Sequence, residues 1–179
     1  MSSNSPVLSD TYIEEPMAHS VSLPDLFHED AVLFDVHASS RNDLIRQMAA
    51  VAIEKGFATE GYAEDVIERE DLYPTGLPTS VLKVAIPHAM VQDHVVVPAI
   101  VIARLATPVN FKEMGDGEVD VPVDMAFMLV AKGDAEYLAV LQKLICLFAE
   151  PTSMERLAGL HDARALVDAI VDLAANVVI

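Results

Sequence analysis

The stretch VDVPVDMAFMLV, residues 119–130, is one of two long apolar runs that decide the fold. The other is VVVPAIVIARL, residues 95–105. Runs of this kind are typical of central strands that are buried on both faces of a sheet. Pro98 and Pro122 then belong at strand starts or edges, because proline cannot donate a hydrogen bond to a strand ladder. With the polar turn KEMGDGEVD (112–120) between them, these runs predict neighbouring central strands.

Apolar runs and cap residues elsewhere in the chain predict further strands, two helices before the central strands and two or three helices after them. Strands are predicted at DAVLFDV (30–36) and at Val81–Ile86. Helices are predicted from Ser39 or Ser40 to Lys55, from Thr59 to Glu70, from a cap at Asp134 to about Ala149, from Pro151, and after His161-Asp162. LYPTGLPTS (72–80), with its two prolines and one glycine, is predicted to be a loop. The order of these elements predicts an α/β fold with a mixed β-sheet sandwiched between helices.

The chain of 179 residues is predicted to be a mobile tail over 1–22 followed by one domain over 23–179. No apolar run reaches the roughly 18 uncharged residues of a membrane span, and the N-terminus does not resemble a secretory signal. Cys146, the single cysteine, suits a reducing compartment, and we expect it to be a small buried apolar group. The sequence therefore predicts a cytoplasmic protein without direct membrane insertion.

The formal charge of −17, with only 11 Lys and Arg, limits the partners of the chain. Nucleic acid and anionic membrane surfaces need cationic residues, so neither is expected to bind. Such a charge favours encounter with a basic protein partner. It also has a simpler reading, since a high net charge keeps a protein in solution.

The segment VLKVAIPHAMVQDHV (81–95) places His88 and His94 at the two ends of one short loop that leaves a central strand. Pro87 fixes the backbone before His88, so the imidazole is presented on a stiff support. At pH 7 an ordinary imidazole is mostly neutral and can act as base, ligand or nucleophile. Packed and reactive readings of His88 both remain open at this point. The other histidines are predicted to be surface or capping residues: His19, His28, His37 and His161.

Three chemistries can use such a histidine. A metal site of His88, Asp93 and His94 would lie within one flexible loop, at a spacing that matches no zinc signature, so no metal is predicted. A serine hydrolase is not supported, because no G-x-S-x-G elbow is present. Phosphoryl transfer through the histidine needs one accessible nitrogen, a group that fixes the other, and donors for the phosphoryl oxygens. No nucleotide-binding G-x4-GK[ST] loop exists, so the phosphate would come from another protein or a small donor.

Three blocks of sequence, in order, resemble a known family. They are EREDLYPTGL (68–77), KVAIPHAMVQDHVVVPAIVIARLATPVNF (83–111) and VDVPVDMAFMLVAKGDAEYLAVLQKLICLF (119–148). They are similar to enzyme IIA components of the bacterial phosphoenolpyruvate-dependent sugar phosphotransferase system, of the mannitol/fructose type, and most similar to galactitol-type members. The resemblance covers roughly residues 25 to 174 and implies the mannitol/fructose-type enzyme IIA fold.

The resemblance implies a phosphocarrier in sugar uptake that needs no cofactor. His88 would take a phosphoryl group from phosphorylated HPr and pass it to a cysteine of the IIB component, which serves the membrane component IIC. Arg69 would stabilise the phosphoryl oxygens, unless it pairs with Glu68 or Glu70 at a solvated helix end. Thr75, or the backbone of the 74–76 turn, is a candidate accessory donor.

One departure from the family pattern concerns its second histidine, which is missing after the last strand. Glu136 or Tyr137 stands there instead. His94 is a candidate accessory residue in its place, the alternative being a structural histidine that ties down the loop. Two other functions also remain open. One is a regulatory protein of the same fold that is controlled by His88 phosphorylation. The other is a non-catalytic interaction domain with an inert histidine.

Two surface features are expected around this site. Tyr73, Phe111 and Met114 are candidates for an apolar docking rim. The helix after the last strand carries an apolar stripe that is expected to face the core: Leu138, Leu141, Leu144, Ile145 and Phe148.

Overall fold

The computed structural model describes residues 22–131 and 135–177, which form a five-stranded mixed sheet with helices on both faces. The strands are β1 (Phe27–Val36), β2 (Gly76–Leu77), β3 (Val84–Ala85), β4 (Ala99–Lys112) and β5 (Asp120–Val130). The helices are α1 (Arg41–Glu54), α2 (Tyr62–Leu72), α3 (Ala135–Ala149), α4 (Pro151–Ala158) and α5 (Ala163–Ala175), with a 3-10 helix at Leu23–Leu26 before β1. The predicted fold class is confirmed. None of the helices within the described ranges has the length and hydropathy of a membrane span.

The strand order is β1-β4-β5-β3-β2, so the two long apolar strands lie side by side near the middle. β4 and β5 pair antiparallel over most of their length, whereas β1 runs parallel to β4 and β3 runs parallel to β5. β2 closes the sheet by pairing antiparallel to β3. The end of β3 therefore emerges beside the C-terminal half of β5, where the candidate histidine begins the next loop.

The central strands bury side chains on both faces, as their continuous apolar character predicts. In β5, Ala126 and Met128 face the core under α1 and α2, while Phe127 and Leu129 face the core under α3, α4 and α5. Successive side chains of a strand point to opposite faces, so a strand between two helical layers needs apolar residues at every position.

Several of the predicted strand boundaries are wrong, and hydrogen bonds explain the start of β4 and the length of β3. β1 begins at Phe27, three residues before its predicted start. β4 begins at Ala99 and not at Val95, because the N–H groups of Val96 and Val97 donate to the Phe57 carbonyl and Pro98 has no N–H. β4 then continues to Lys112, well past the predicted end at 105. β3 is only two residues long, since the Lys83 N–H donates to the Asp124 side-chain carboxylate of β5 at 2.8 Å and not to a backbone carbonyl.

Two further corrections concern the segment before β3. The predicted loop at 72–80 contains the short strand β2. α2 begins at Tyr62, three residues after the predicted start at Thr59, and its N-cap is Gly61 at φ +99°. That left-handed conformation favours glycine. The helix α1 does start as predicted, with the Ser40 hydroxyl accepting a hydrogen bond from the Asp43 N–H.

The helix α3 departs from its predicted burial. Leu144 and Phe148 lie in the core, but Leu138 is 53% exposed. Cys146, predicted to be buried, is exposed. α3 thus presents part of its apolar surface outward, which its continuous apolar sequence did not reveal. The predicted N-cap Asp134 and the predicted tail up to residue 21 lie outside the described residues.

Candidate functional site

His88 lies at the end of β3, where the backbone is held by β5. The Leu129 N–H donates to the Pro87 carbonyl at 3.0 Å, and His88 forms an isolated parallel bridge with Leu129. Pro87 is buried and His88 is partly buried. The stiff support that the sequence predicts for this histidine is therefore present, and it is anchored to the central sheet.

The imidazole of His88 uses one nitrogen on its own backbone. Its Nδ1 lies 2.8 Å from the Ile86 carbonyl oxygen. A carbonyl can only accept a hydrogen bond, so Nδ1 carries the proton and the neutral ring leaves the lone pair on Nε2. This hydrogen bond also fixes the rotation of the ring. One nitrogen is held and the other is unprotonated, which is the arrangement a nucleophilic histidine requires.

Burial lowers the pKa of His88 from 6.5 to about 4. The hydrogen bond to Ile86 raises the pKa and the positive charge of Arg69 lowers it, both by less than burial does. At neutral pH the ring is consequently neutral, with Nε2 unprotonated, in nearly every molecule. The lone pair is available without a general base to remove a proton first.

A cavity of about 460 Å³ opens beside the ring. Its walls come from α2 and the turn after it, from the β4–β5 turn and from α3: Arg69, Leu72, Tyr73, Pro74, His88, Met114, Gly115, Gly117, Leu141 and Ile145. Tyr73 is 57% exposed and Met114 36%, so both stand at the rim as predicted. Phe111, the third predicted rim residue, is 1% exposed and belongs to the core.

Arg69 reaches this cavity from the last turn of α2. Its guanidinium donates to the Tyr73 carbonyl and lies over the Tyr73 ring, 5.5 Å from the ring centroid. Among the described residues, no carboxylate approaches the guanidinium within 4.0 Å, so the alternative pairing with Glu68 or Glu70 is not observed. Arg69 shares the cavity wall with His88 and is a cation that an anionic group bound there would meet.

Thr75 does not line this cavity. It is fully buried, and both of its hydrogen-bond donors are used by the Glu70 carboxylate, the N–H at 2.8 Å and the hydroxyl at 2.8 Å. Its hydroxyl oxygen accepts from the Ile86 N–H at 3.1 Å. The structure thus gives Thr75 an internal structural contact in place of the donor role that the sequence suggested.

Tyr137 is one of the two residues expected at the position of the resembling family's second histidine. Its ring centroid lies 5.9 Å from that of His88, with the two planes tilted by 60°. Burial raises the pKa of the Tyr137 hydroxyl, so the phenol is neutral at physiological pH. Of the two residues considered for this position, Tyr137 is the one seen beside His88, since the Glu136 side chain lies outside the described part of the chain.

His94 lies at the other end of the loop and contacts α2 and the residues before it. Its Nδ1 is 2.9 Å from the Thr59 hydroxyl and its Nε2 is 3.8 Å from Asp65. Its carbonyl accepts from the Thr59 N–H at 2.9 Å. His94 does not line the cavity beside His88. These contacts favour the reading of His94 as a histidine that ties down the loop.

Glu70 was predicted only as a possible partner of Arg69, but the structure buries this carboxylate and pairs it with Thr75. The signal was its spacing. Tyr62, Val66 and Glu70 recur every four residues along α2, which places all three on the buried face of the helix. A glutamate on that apolar stripe marks a buried carboxylate that needs internal partners.

A comparison with protein-family models gives one match, described as "Phosphoenolpyruvate-dependent sugar phosphotransferase system, EIIA 2", over residues 25–172. A mannitol-specific phosphotransferase enzyme IIA component of Staphylococcus aureus (strain Mu50) is 24% identical over 146 residues, covering 80% of this chain and 94% of the relative. A galactitol-specific EIIA component of Escherichia coli (strain K12) is 25% identical over 124 residues, covering 69% and 81%.

Solved structures with the same fold include the IIA mannitol protein of Escherichia coli, with a TM-score of 0.65 at 21% identity over 80% of this chain and 98% of that one. Another is the complex of enzyme IIA and phosphorylated enzyme IIB of the E. coli mannitol system, with a TM-score of 0.63 at 20% identity over 85% and 98%. These likenesses agree with the mixed sheet and two helical layers described above. Because the family match covers most of the described residues, the chain belongs to the EIIA 2 family of the phosphoenolpyruvate-dependent sugar phosphotransferase system.

Proposed function

We propose that the chain is a phosphocarrier that accepts a phosphoryl group on Nε2 of His88 from phosphorylated HPr and passes it to a cysteine of a IIB component. IIB would in turn serve a membrane IIC component, so the chain itself contacts no lipid. The curated relatives reported above are specific for mannitol and galactitol, and the galactitol type is the first candidate because of the YPTGL and VPVDMAFMLV segments. This role keeps the cytoplasmic location that the sequence predicts.

The observation that carries this proposal is that the two ring nitrogens of His88 have different environments. Nδ1 donates to the Ile86 carbonyl at 2.8 Å, while the ring forms part of a cavity wall that also contains Arg69. The chemistry needs a lone pair, a fixed ring and a nearby cation, and these three features meet at one place in the fold.

The transfer proceeds by two displacements at phosphorus. In the first, the Nε2 lone pair forms the N–P bond as the bond from phosphorus to the donor atom of HPr breaks, and that electron pair leaves on the donor. In the second, a IIB thiolate forms the S–P bond, the N–P bond breaks, and its electron pair returns to Nε2. Nδ1 keeps its proton throughout. Such transfers leave the protein mainly the work of positioning and charge stabilisation.

Arg69 supplies the charge stabilisation in this scheme. A guanidinium presents several N–H donors in one plane. Among the described residues, the Tyr73 carbonyl is the only acceptor of a hydrogen bond from Arg69. The chain carries a net charge of −17, so a phosphoryl group needs a local cation to offset that background. The same acidic surface favours encounter with a basic partner face, and transfer from HPr should slow as salt is added.

A reconstituted relay tests the proposal. The purified chain is incubated with phosphoenolpyruvate, enzyme I and HPr, and acid-labile protein-bound phosphate is measured. The label is then chased with galactitol-type and mannitol-type IIB proteins in separate reactions. We expect labelling of the wild-type chain, loss of labelling in His88→Ala, and rapid transfer to IIB, fastest to the galactitol type.

The matched control is His94→Ala, which removes the other histidine of the same loop and should leave labelling intact. Label that persists in His88→Ala, or a wild-type chain that takes no label from phosphorylated HPr, would show that the proposal is wrong. The regulatory alternative is not favoured, because the sequence relatives reported above are sugar-specific components. It would regain support if the chain took the label but no IIB protein removed it.

A further inference from the structure

Glu70 is a carboxylic acid with no solvent exposure, and such burial needs an explanation. Only three polar or charged residues are buried in the described part of the chain: Glu70, Thr75 and Ser153. Two of the three contact each other. Burying a carboxyl group is unfavourable unless its oxygens are hydrogen-bonded, so the pair is a built feature of the core and not an accident of packing.

The contacts of Glu70 lead in a continuous series to His88. The Thr75 N–H and hydroxyl donate to the two Glu70 carboxylate oxygens, each at 2.8 Å. The Thr75 hydroxyl oxygen accepts from the Ile86 N–H at 3.1 Å. The Ile86 carbonyl accepts from Nδ1 of His88 at 2.8 Å.

Each member of this series restricts the next. A hydroxyl has a single proton, and the Thr75 hydroxyl places it on Glu70, which turns its lone pairs toward the Ile86 N–H. That contact holds the backbone of Ile86 at the point where β3 ends, two residues before the reactive ring. The Ile86 carbonyl, as the acceptor for Nδ1, then determines the rotation and the tautomer of the His88 imidazole.

We propose that Glu70 is a positioning residue for the phosphoryl transfer proposed above, acting through Thr75 and Ile86 to hold the His88 ring with Nε2 unprotonated and facing the cavity. The inference rests on the proposed function of His88. Glu70 itself touches neither the ring nor the phosphoryl group in this scheme. It determines the geometry of a group that does.

The protonation state of Glu70 gives this role a pH dependence. Burial raises its pKa from 4.5 to about 7, against the lowering effects of its two hydrogen bonds with Thr75 and of the charges on Arg41 and Arg69. Arg41 comes from α1 and is paired with Asp71, while Arg69 belongs to α2. A protonated Glu70 has one oxygen that donates instead of accepting. Both Glu70 oxygens accept hydrogen bonds from Thr75, so a proton on either oxygen competes with one of these two bonds, and the series is complete only when Glu70 is ionised.

Paired variants at both residues test the role by kinetics. Glu70→Gln keeps the shape of the side chain but cannot ionise, and Thr75→Val removes the hydroxyl, which Thr75→Ser retains. Initial rates of transfer from phosphorylated HPr are measured per folded molecule between pH 6 and pH 8.5, with folding checked by circular dichroism. Ratios to wild type at each pH cancel the titration of the donor.

We expect Glu70→Gln and Thr75→Val to lower the rate roughly 10-fold to 100-fold, the range that misplacement of a reacting group produces. Thr75→Ser should recover most of the rate. The ratio of the wild-type rate to the Glu70→Gln rate should rise through about pH 7 and then level off, as Glu70 ionises. Folded Glu70→Gln and Thr75→Val variants with wild-type rates, or a ratio that is flat across this range, would overturn the inference.

A second measurement needs neither a variant nor a donor. In ¹⁵N-labelled wild-type protein, the His88 Nδ1 resonance should shift with a midpoint near pH 7 that belongs to Glu70, while Nε2 stays unprotonated. An Nδ1 resonance that does not change between pH 6 and pH 8 contradicts the role, even where the variants do not fold. Because this arm uses no phosphate, it separates a failure of the Glu70 inference from a failure of the proposed function.

Discussion

His88 and His94 lie at opposite ends of one loop, and their ring nitrogens meet different surroundings. Nδ1 of His88 donates to a backbone carbonyl at 2.8 Å, and its ring forms part of a cavity wall with Arg69. In His94, Nδ1 meets the Thr59 hydroxyl at 2.9 Å and Nε2 faces Asp65 at 3.8 Å. The first histidine keeps one nitrogen available for chemistry, whereas both nitrogens of the second face groups of the protein.

The difference shows that residue type and loop position do not determine the role of a histidine. What separates the two is the element that each contacts. His88 continues the line of β3 and is held by the backbone of the central sheet. His94 is packed against α2, where an added Cβ on Gly61 would come within 2.7 Å of the imidazole. The sheet side of the loop therefore carries the chemistry proposed for His88, and the helix side holds the loop to the start of α2.

Among the variants that keep both histidines, Arg69→Ala should give the largest effect on the His88 side of this comparison. Loss of hydrogen bonds to a charged group is worth about 1.5–3 kcal/mol, so the rate of phosphoryl transfer should fall roughly 10-fold to 100-fold. Arg69→Lys should recover only part of that loss, because a point charge replaces a planar fork of donors. Initial rates from phosphorylated HPr and the lifetime of the phosphorylated protein measure both variants.

Arg46→Ala is the matched control for Arg69, because Arg46 is an exposed arginine whose salt bridge to Glu64 lies away from the cavity. It should leave the rate and the lifetime unchanged within about twofold, since exposed ion pairs contribute little. If Arg69→Ala has the same transfer rate and the same phosphoprotein lifetime as wild type, Arg69 has no role in the site.

His94→Ala should affect stability and not chemistry, and its effect is the smallest. Loss of the contact with the Thr59 hydroxyl should lower the free energy of unfolding by about 1 kcal/mol. The backbone hydrogen bond from Thr59 to the His94 carbonyl remains in this variant. Urea unfolding measures the stability, and Thr59→Val serves as the partner variant, with a similar loss expected. A stable His94→Ala protein with tenfold slower transfer would restore the accessory role that the sequence suggested.

The order of elements and the two central strands could be predicted from the sequence because their signal is local. The unbroken apolar runs 99–103 in β4 and 125–130 in β5 predict burial on both faces, and Ser40 and Asp162 predict the starts of α1 and α5. The ends of the strands were harder to predict. The start of β4 and the length of β3 depend on Phe57 and Asp124, which are distant along the chain.

The site was predictable in part for the same reason. His88 follows an apolar run and a proline, which is a local pattern, and Arg69 entered through the family resemblance. The hydrogen bond of Nδ1 with Ile86, the position of Tyr137 and the buried Glu70–Thr75 pair all depend on packing in three dimensions. Thr75 illustrates the limit, because its sequence position near the site suggested a donor that the fold uses elsewhere.

The pKa of His88 also ties the site to the stability of the fold. In the unfolded chain a histidine has a pKa of 6.5, and burial in the folded protein lowers the pKa of His88 to about 4. Between these values the unfolded chain binds more protons than the folded one, so stability falls as the pH falls. The contribution is complete above pH 6.5 and is lost as the pH drops through about 4.

The most direct test of the central role of His88 is NMR of its ring nitrogens before and after phosphorylation, with His88→Gln used to assign the signals. In the free protein at pH 7 we expect a proton on Nδ1, none on Nε2, and a titration midpoint near pH 4. After phosphorylation by HPr, phosphorus should be bonded to Nε2 of His88. Protonation of Nε2 with a midpoint near 6.5 and a freely exchanging tautomer, or phosphorus on Nδ1 or on His94, would contradict the assignment.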